Sequence, residues 1–162
     1  MAQIRKEAKN HWVSKKLNQG DKIPYDLLLL ADETIEAINK YIFDSDLYIV
    51  EQEDKVIGIS VLYASNQEEI EIKNIAVDPA FQGRGIGRFL LHDAIIRGKA
   101  MKYKTVIIGT ADTAVKQLRL YQQVGFEKFE LRKGFFINNY PAPIIEDGIQ
   151  LKNMVMLRKK IK

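Results

Sequence analysis

Three glycines fall within five positions in FQGRGIGRFLLHDAI (residues 81–95), and the chain then runs directly into a stretch with helical apolar spacing. Glycine is costly in regular structure, so such a cluster marks a backbone that turns left-handed or that something must approach closely. Gly83, Gly85 and Gly87 alternate with Arg84 and Ile86, and Arg88 follows. Successive N–H groups in a turn that opens onto a helix N-terminus form an anion cradle, to which the arginines add formal charge. A plain strand-to-helix turn needs one glycine or two. Three glycines with two arginines point to phosphate.

Two common phosphate loops do not fit. A P-loop requires a Lys-Ser/Thr pair after its last glycine, and none follows here. The dinucleotide fingerprint G-x-G-x-x-G would place its third glycine at Arg88. That fingerprint also follows the first strand of a βαβ unit, whereas this loop follows a long strand preceded by a hairpin pattern.

The 162 residues suit a single domain spanning 1–162, which buries roughly 70% of its unfolded surface. Lys plus Arg exceeds Asp plus Glu by 25 − 21 = 4, a mild surplus that partly collects in the terminal LRKKIK. No aromatic-basic RNA motif or helix-turn-helix spacing accompanies it, so no nucleic-acid partner is expected. With no cysteine, disulfides, thiolate metal sites and a cysteine acyl-enzyme are excluded, and a reducing, cytoplasmic location is expected. His11 and His92 are the only histidines and lie far apart, so no metal site is expected. The longest apolar run, LLLLA at 27–31, is too short to cross a bilayer, and the N-terminus lacks the apolar run of a signal peptide.

Along the chain, a short strand is expected near Ile4. IPYDLLLLADETIEAINKYIF reads as helix, with Pro24 at a first helical position and Asp32 as a second N-cap. LYIVEQ and KVIGISVLYA form a hairpin pattern, and NQEEIEIKNIAV is a third strand. After the glycine loop come a helix to about Met101, the strand KTVIIGT, and the helix ADTAVKQLRLYQQVGF. Asp112 or Thr113 is the expected N-cap of that helix and Gly125 its stop. FEKFELR returns to strand, residues 134–150 read as loop, and LKNMVMLRK is a last strand. The order predicts one mixed α/β sheet flanked by helices. The third strand changes phase: Ile70 and Ile72 share one parity, Ile75 and Val77 the other. Either a β-bulge lies near Lys73–Asn74, or the strand is buried on both faces at its C-terminal end.

VDPAFQGRGIGRFLL resembles the Q/R-x-x-G-x-G/A pyrophosphate loop of the GNAT acetyltransferase superfamily, with Gln82, Gly85 and Gly87 at its key positions. The preceding IAV and the downstream LYQQVGF are similar to the same family's neighbouring segments, and the likeness runs from about Leu47 to Phe129. This resemblance implies a GNAT-like, centrally splayed sheet with acetyl-CoA, as co-substrate, wedged where two strands part. The pantetheine would pair with backbone at Ile75, Ala76 and Val77, and the pyrophosphate would sit on Gln82, Gly83, Arg84, Gly85, Ile86, Gly87 and Arg88. Asp112 stands where the family often carries an asparagine at the cofactor, and it lacks the amide donor.

Acetyl transfer to an amine needs a neutral nitrogen and a proton for the departing thiolate. Without cysteine or a G-x-S-x-G serine, direct attack on the thioester is the economical route. Glu71 matches the family's frequent glutamate base; within the acidic run Glu68, Glu69, Glu71 it also reads as a solvated strand end. Tyr121 matches the tyrosine near the CoA sulfur; it also reads as a helix-face aromatic beside Leu118. The resemblance assigns the acceptor pocket to the N-terminal helices and the segment before the last strand, where Tyr140, Glu146 and Asp147 offer a cation site. The expected protein is an acetyl-CoA-dependent N-acetyltransferase acting on a primary amine of a small molecule or protein, with a homodimer allowed. The competing class is a catalytically silent CoA-binding sensor, which the joint presence of Glu71 and Tyr121 disfavours.

Overall fold

The hairpin forms toward one side of the main sheet in the computed structural model, which describes residues 11–162. Strands β2 (Asp46–Gln52) and β3 (Lys55–Ala64) pair around Glu53 and Asp54, whose φ values of 51° and 63° are the left-handed pair that a two-residue hairpin turn requires. A short strand β1 (Ser14–Lys16), which periodicity did not predict, adds to the outer edge of β2. The strand expected near Ile4 lies outside the described residues.

The expected helix over 23–43 is two short ones, α1 (Tyr25–Leu28) and α2 (Ile35–Asn39). Thr34, not Asp32, caps α2, its hydroxyl accepting from the Ala37 N–H at 3.1 Å. Strand β4 (Glu69–Val77) is followed by the glycine loop, the long helix α3 (Ile86–Ala100) and strand β5 (Thr105–Ala111). Helix α4 (Val115–Val124) begins after Ala114 with no side-chain cap, so neither Asp112 nor Thr113 takes that position; Gly125, at φ 109°, stops it as expected. Beyond strand β6 (Glu127–Arg132), the stretch expected as loop contains helix α5 (Phe135–Asn139) and a small ribbon of β7 (Ile145–Glu146) and β8 (Ile149–Gln150). Strand β9 (Met154–Lys160) completes the main sheet, in the order β1-β2-β3-β4-β5-β9-β6. Only the β4–β5 pair is parallel, joined by the crossover through α3. No helix among the described residues is long and apolar enough to cross a membrane.

The phase change in β4 is a bulge. Ile72 lies opposite Leu62 and Asn74 opposite Val61, so Lys73 is the extra residue. Ile70 and Ile72 pack against Leu91, Ala94 and Ile95 of α3. Past the bulge, Ile75 and Val77 meet Ile86 and Leu90 of the same helix. Ala76 turns to the opposite face, with Leu28, Ile38 and Ile59. Thus the bulge keeps four apolar side chains beneath one helix although their parity changes, and the end of the strand is covered on both faces.

The pairing of β4 with β5 covers Glu69–Ile72 against Thr105–Ile108 and then stops. Beyond that point β4 pairs with β3 alone and β5 with β9 alone. The sheet therefore parts into two wings. Helix α3 holds its start against one wing through Leu90, fully buried among Val50, Ile57 and Ile86. Leu90→Ala is expected to lower the unfolding free energy by about 2–5 kcal/mol, read by urea denaturation. A loss below about 1 kcal/mol would mean that packing does not seat this helix.

Candidate active site

Where the wings part, a cleft of about 1190 Å³ opens between β4, β5, the glycine loop and α4, and extends to the α1–α2 turn and the β7–β8 ribbon. One wall is β4 itself. The Asp78 N–H donates to the Ile57 carbonyl at 2.8 Å, which makes Ile57–Asp78 a hydrogen-bonded antiparallel pair. By alternation Ile59–Ala76 is the next such pair, and Ile75 and Val77 turn their N–H and C=O groups away from β3 into the gap. Ala76, expected to offer backbone to the pantetheine, instead spends it on β3.

At the end of this wall the glycine loop is open. Gly83 and Gly85 adopt φ values of 77° and 86°, and Gly85 starts α3 without any capping side chain. Among the described residues, no carbonyl accepts from the backbone N–H groups of residues 83–88. A Cβ added at Gly83 or Gly85 would meet no protein atom within 4 Å. The amides thus lie without carbonyl partners at the N-terminus of a 15-residue helix, where backbone dipoles favour an anion. This arrangement fits a pyrophosphate. Gln82 ties the loop to the strand, its Nε2 donating to the Val77 carbonyl at 3.1 Å. Arg84 stacks on Phe81, 5.0 Å from the ring centroid, while Arg88 donates to Gln123 Oε1 at 2.8 Å. Asp112 does not line the cleft: it accepts from Asn153 Nδ2 at 3.1 Å and anchors the end of β5.

Glu71 and Tyr121, fifty positions apart in the chain, both line the cleft. Glu71 is largely buried, and Lys73 Nζ lies 3.3 Å from its Oε1, so the bulge residue orients the carboxylate. The Tyr121 ring is buried against Leu118 and Phe126. Burial pushes its phenol up to about 12, so it stays protonated through the neutral range.

Sequence reasoning named Tyr140 but missed the polar hub that it joins on the acceptor side. Asp32 accepts the hydroxyls of Tyr140 at 2.6 Å and Tyr41 at 3.1 Å. Tyr41 in turn accepts from Asn74 Nδ2 at 3.2 Å, and the same amide donates to the Leu28 carbonyl at 3.0 Å. Burial is the main cause that holds both phenols well above their ordinary value, and the Asp32 carboxylate adds to it. The partners come from α1 and the turn after it, from just past α2 and α5, and from β4, so no local pattern joined them; Asp32 itself read as a helix cap. Among the described residues, no group of three or more His, Asp or Glu side chains is arranged to hold a metal.

The acetyltransferase (GNAT) domain family matches residues 43–128. The N-acetyltransferase YvbK of Bacillus subtilis is 38% identical over 133 residues, 82% of this chain and 86% of its own. Among solved structures, a GNAT family acetyltransferase from Elizabethkingia anophelis with acetyl-CoA bound is 44% identical, with a TM-score of 0.89 over 92% of this chain and 97% of that one. A Bacillus subtilis acetyltransferase in complex with CoA is 34% identical, with a TM-score of 0.84 over 93% of this chain and 99% of that one.

The loop geometry makes Gly85→Val the sharpest probe of the cradle, since its Cβ would enter the space onto which the amides open. Millimolar CoA is expected to raise the Tm of the wild type by mass action and to leave that of the variant unmoved. Equal shifts, each against its own ligand-free protein, would remove the loop from phosphate binding.

Proposed function

Because the chain belongs to the GNAT acetyltransferase family, we propose that it transfers the acetyl group of acetyl-CoA to a primary amine of a small molecule or protein. The observation that carries this reading is the parting of β4 from β5, which turns Ile75 and Val77 toward a cleft that ends on unbonded loop amides. The acetyl-CoA and CoA bound by relatives of similar fold support it. A silent sensor is the weaker reading, since Glu71 and Tyr121 line the same cleft. A cytoplasmic location goes with the cysteine-free composition, and the reaction needs neither nucleic acid nor membrane.

Bound acetyl-CoA supplies an acyl group activated as a thioester, whose thiolate leaves. Ile75 offers its backbone N–H and C=O, and Val77 its N–H, to the pantetheine, and the amides of residues 83–88 hold the pyrophosphate, with Arg84 and Arg88 adding charge. Asp112 is given no contact. An alkylammonium has a pKa of roughly 10 and is almost wholly protonated at neutral pH. Glu71, oriented by Lys73, takes that proton, directly or through water. Tyr121 holds a proton where the thiolate departs, and its raised pKa keeps the proton there below pH 12 or so. The direct test is release of free CoA thiol from acetyl-CoA in the presence of a panel of amines, aminoglycosides and peptides. Silence across the panel would sink the reading.

Glu71→Gln is expected to lower turnover at pH 7 far more than it weakens acetyl-CoA binding. The deficit shrinks as pH rises and free amine accumulates; a deficit unchanged between pH 7 and pH 10 would pass the role to Glu69. Tyr121→Phe keeps the ring contacts with Leu118 and Phe126, so thermal stability stays near that of the wild type. Its kcat falls about a hundredfold, the low end for a general acid, because a thiolate leaves fairly well unaided. An acetyl thioester of a more acidic thiol restores the variant more than the wild type. Full activity of Tyr121→Phe with acetyl-CoA would make the tyrosine a core residue only.

A further inference from the structure

The acceptor half of the cleft carries a charge pattern that the transferase reading does not require. Asp32 and Glu33 enter it from the turn between α1 and α2, and Glu146 and Asp147 from the tip of the β7–β8 ribbon. Among the described residues, none of these four carboxylates is ion-paired with a lysine or arginine. Elsewhere Asp46, Asp78 and Asp93 each have such a partner. In a chain of net charge +4, this wall concentrates unpaired negative charge drawn from two distant segments. Burial holds the Glu33 carboxyl above its ordinary value, and the Glu146 and Asp32 charges add to this, a like-charged approach that a cation would relieve.

A second observation comes from β4. Asn74 is 3% exposed and borders the same cleft. Its Nδ2 is committed to Leu28 and Tyr41, which fixes the amide, and its Oδ1 has no partner among the described residues. A buried acceptor of this kind calls for an N–H donor. The rings of Tyr41 and Tyr63 line the same cleft, with Lys73 Nζ 5.9 and 5.4 Å from their centroids. Such faces accept ammonium groups and pack against methylene chains.

We propose that the acceptor is a short aliphatic diamine or polyamine, whose reacting amine lies toward Glu71 while a second ammonium is held by Asp32, Glu33 and Glu146. This inference rests on the transferase reading and narrows its substrate. The reaction itself is unchanged: the ammonium gives up one proton before attack, the N–C bond forms as the thioester C–S bond breaks, and a second proton leaves nitrogen as one reaches sulfur. Monoamines lack the second contact, and an amine that bears a carboxylate meets like charge on this wall.

The test compares n-butylamine, diaminobutane, spermidine, γ-aminobutyrate and an alanine-terminated peptide with acetyl-CoA at one pH. The kcat/KM for the diamine is expected to exceed that for butylamine roughly tenfold or more, mainly through KM, since several partly exposed ion pairs contribute together. γ-Aminobutyrate is expected to be the poorest. In the Glu33→Gln/Glu146→Gln double variant the diamine-to-monoamine ratio falls toward one. Equal use of butylamine or the peptide, or a ratio that survives in the double variant, overturns the inference while leaving the transferase reading intact. Calorimetric titration of diaminobutane and butylamine into the protein–CoA complex separates the two claims. Tighter binding of the diamine without thiol release sustains the cation site and sinks the transferase; equal binding sinks the cation site.

Discussion

The structure depends on four residue pairs and their abrupt end. Glu69–Ile72 bind β5, and at Lys73 the strand gains a residue that its partner β3 does not match. A bulge increases local twist and bends the strand, so β4 follows β3 while β5 follows β9. Backbone groups left without a neighbouring strand are costly unless something pairs with them. Here they face a cleft. The same bulge keeps Ile70, Ile72, Ile75 and Val77 under α3, so the helix whose N-terminus closes the cleft is fastened to the strand that opens it. One irregularity therefore sets the width of the gap, the aim of the backbone and the position of the anion cradle.

Electrostatically the cleft has two ends. At one, unbonded amides, a helix dipole, Arg84 and Arg88 favour negative charge. At the other, Asp32, Glu33, Glu146 and Asp147 favour positive charge. Glu71 and Tyr121 line the same cleft, the first held by an ion pair and the second buried among apolar side chains. Such polarity suits a reaction that brings a polyanionic donor and a cationic acceptor together from opposite sides. Net charge conceals this, because a sum over 25 basic and 21 acidic residues says nothing of where they lie.

The loop was legible in the sequence because its chemistry is local. Gly83 and Gly85 had to be glycine for a left-handed turn, and a helix had to follow immediately for the dipole to help. The phase change in β4 was legible too, but it left a bulge and burial on both faces as alternatives until the register with β3 decided for a bulge. Other local signals misled. Asp32 and Asp112 are good helix caps by type, yet α2 is capped by Thr34 and α4 by no side chain. Each acid instead meets a side chain distant in sequence, Tyr140 for Asp32 and Asn153 for Asp112, and that stronger pairing wins over a cap. The stretch 134–150, rich in Pro, Asn and Gly, read as loop because its helix and ribbon are too short for periodicity to register.

What the sequence determined by itself is the set of features carried by neighbours along the chain: the hairpin, the glycine loop on its helix, the phase change in β4 and the order of strands around them. Spacing along one strand or helix is a physical constraint that no fold can evade. What only the tertiary structure decided is which groups meet across the cleft. Glu71 and Tyr121 border one cleft because a parallel crossover brings β4 beside β5 and α4 after it. The Asn74–Tyr41–Asp32–Tyr140 chain and the facing carboxylates of Glu33 and Glu146 exist because α1, α2, α5 and the ribbon fold over the same opening. Polar contacts between segments about a hundred residues apart carry no period in the sequence, since burial and approach, not spacing, bring them together.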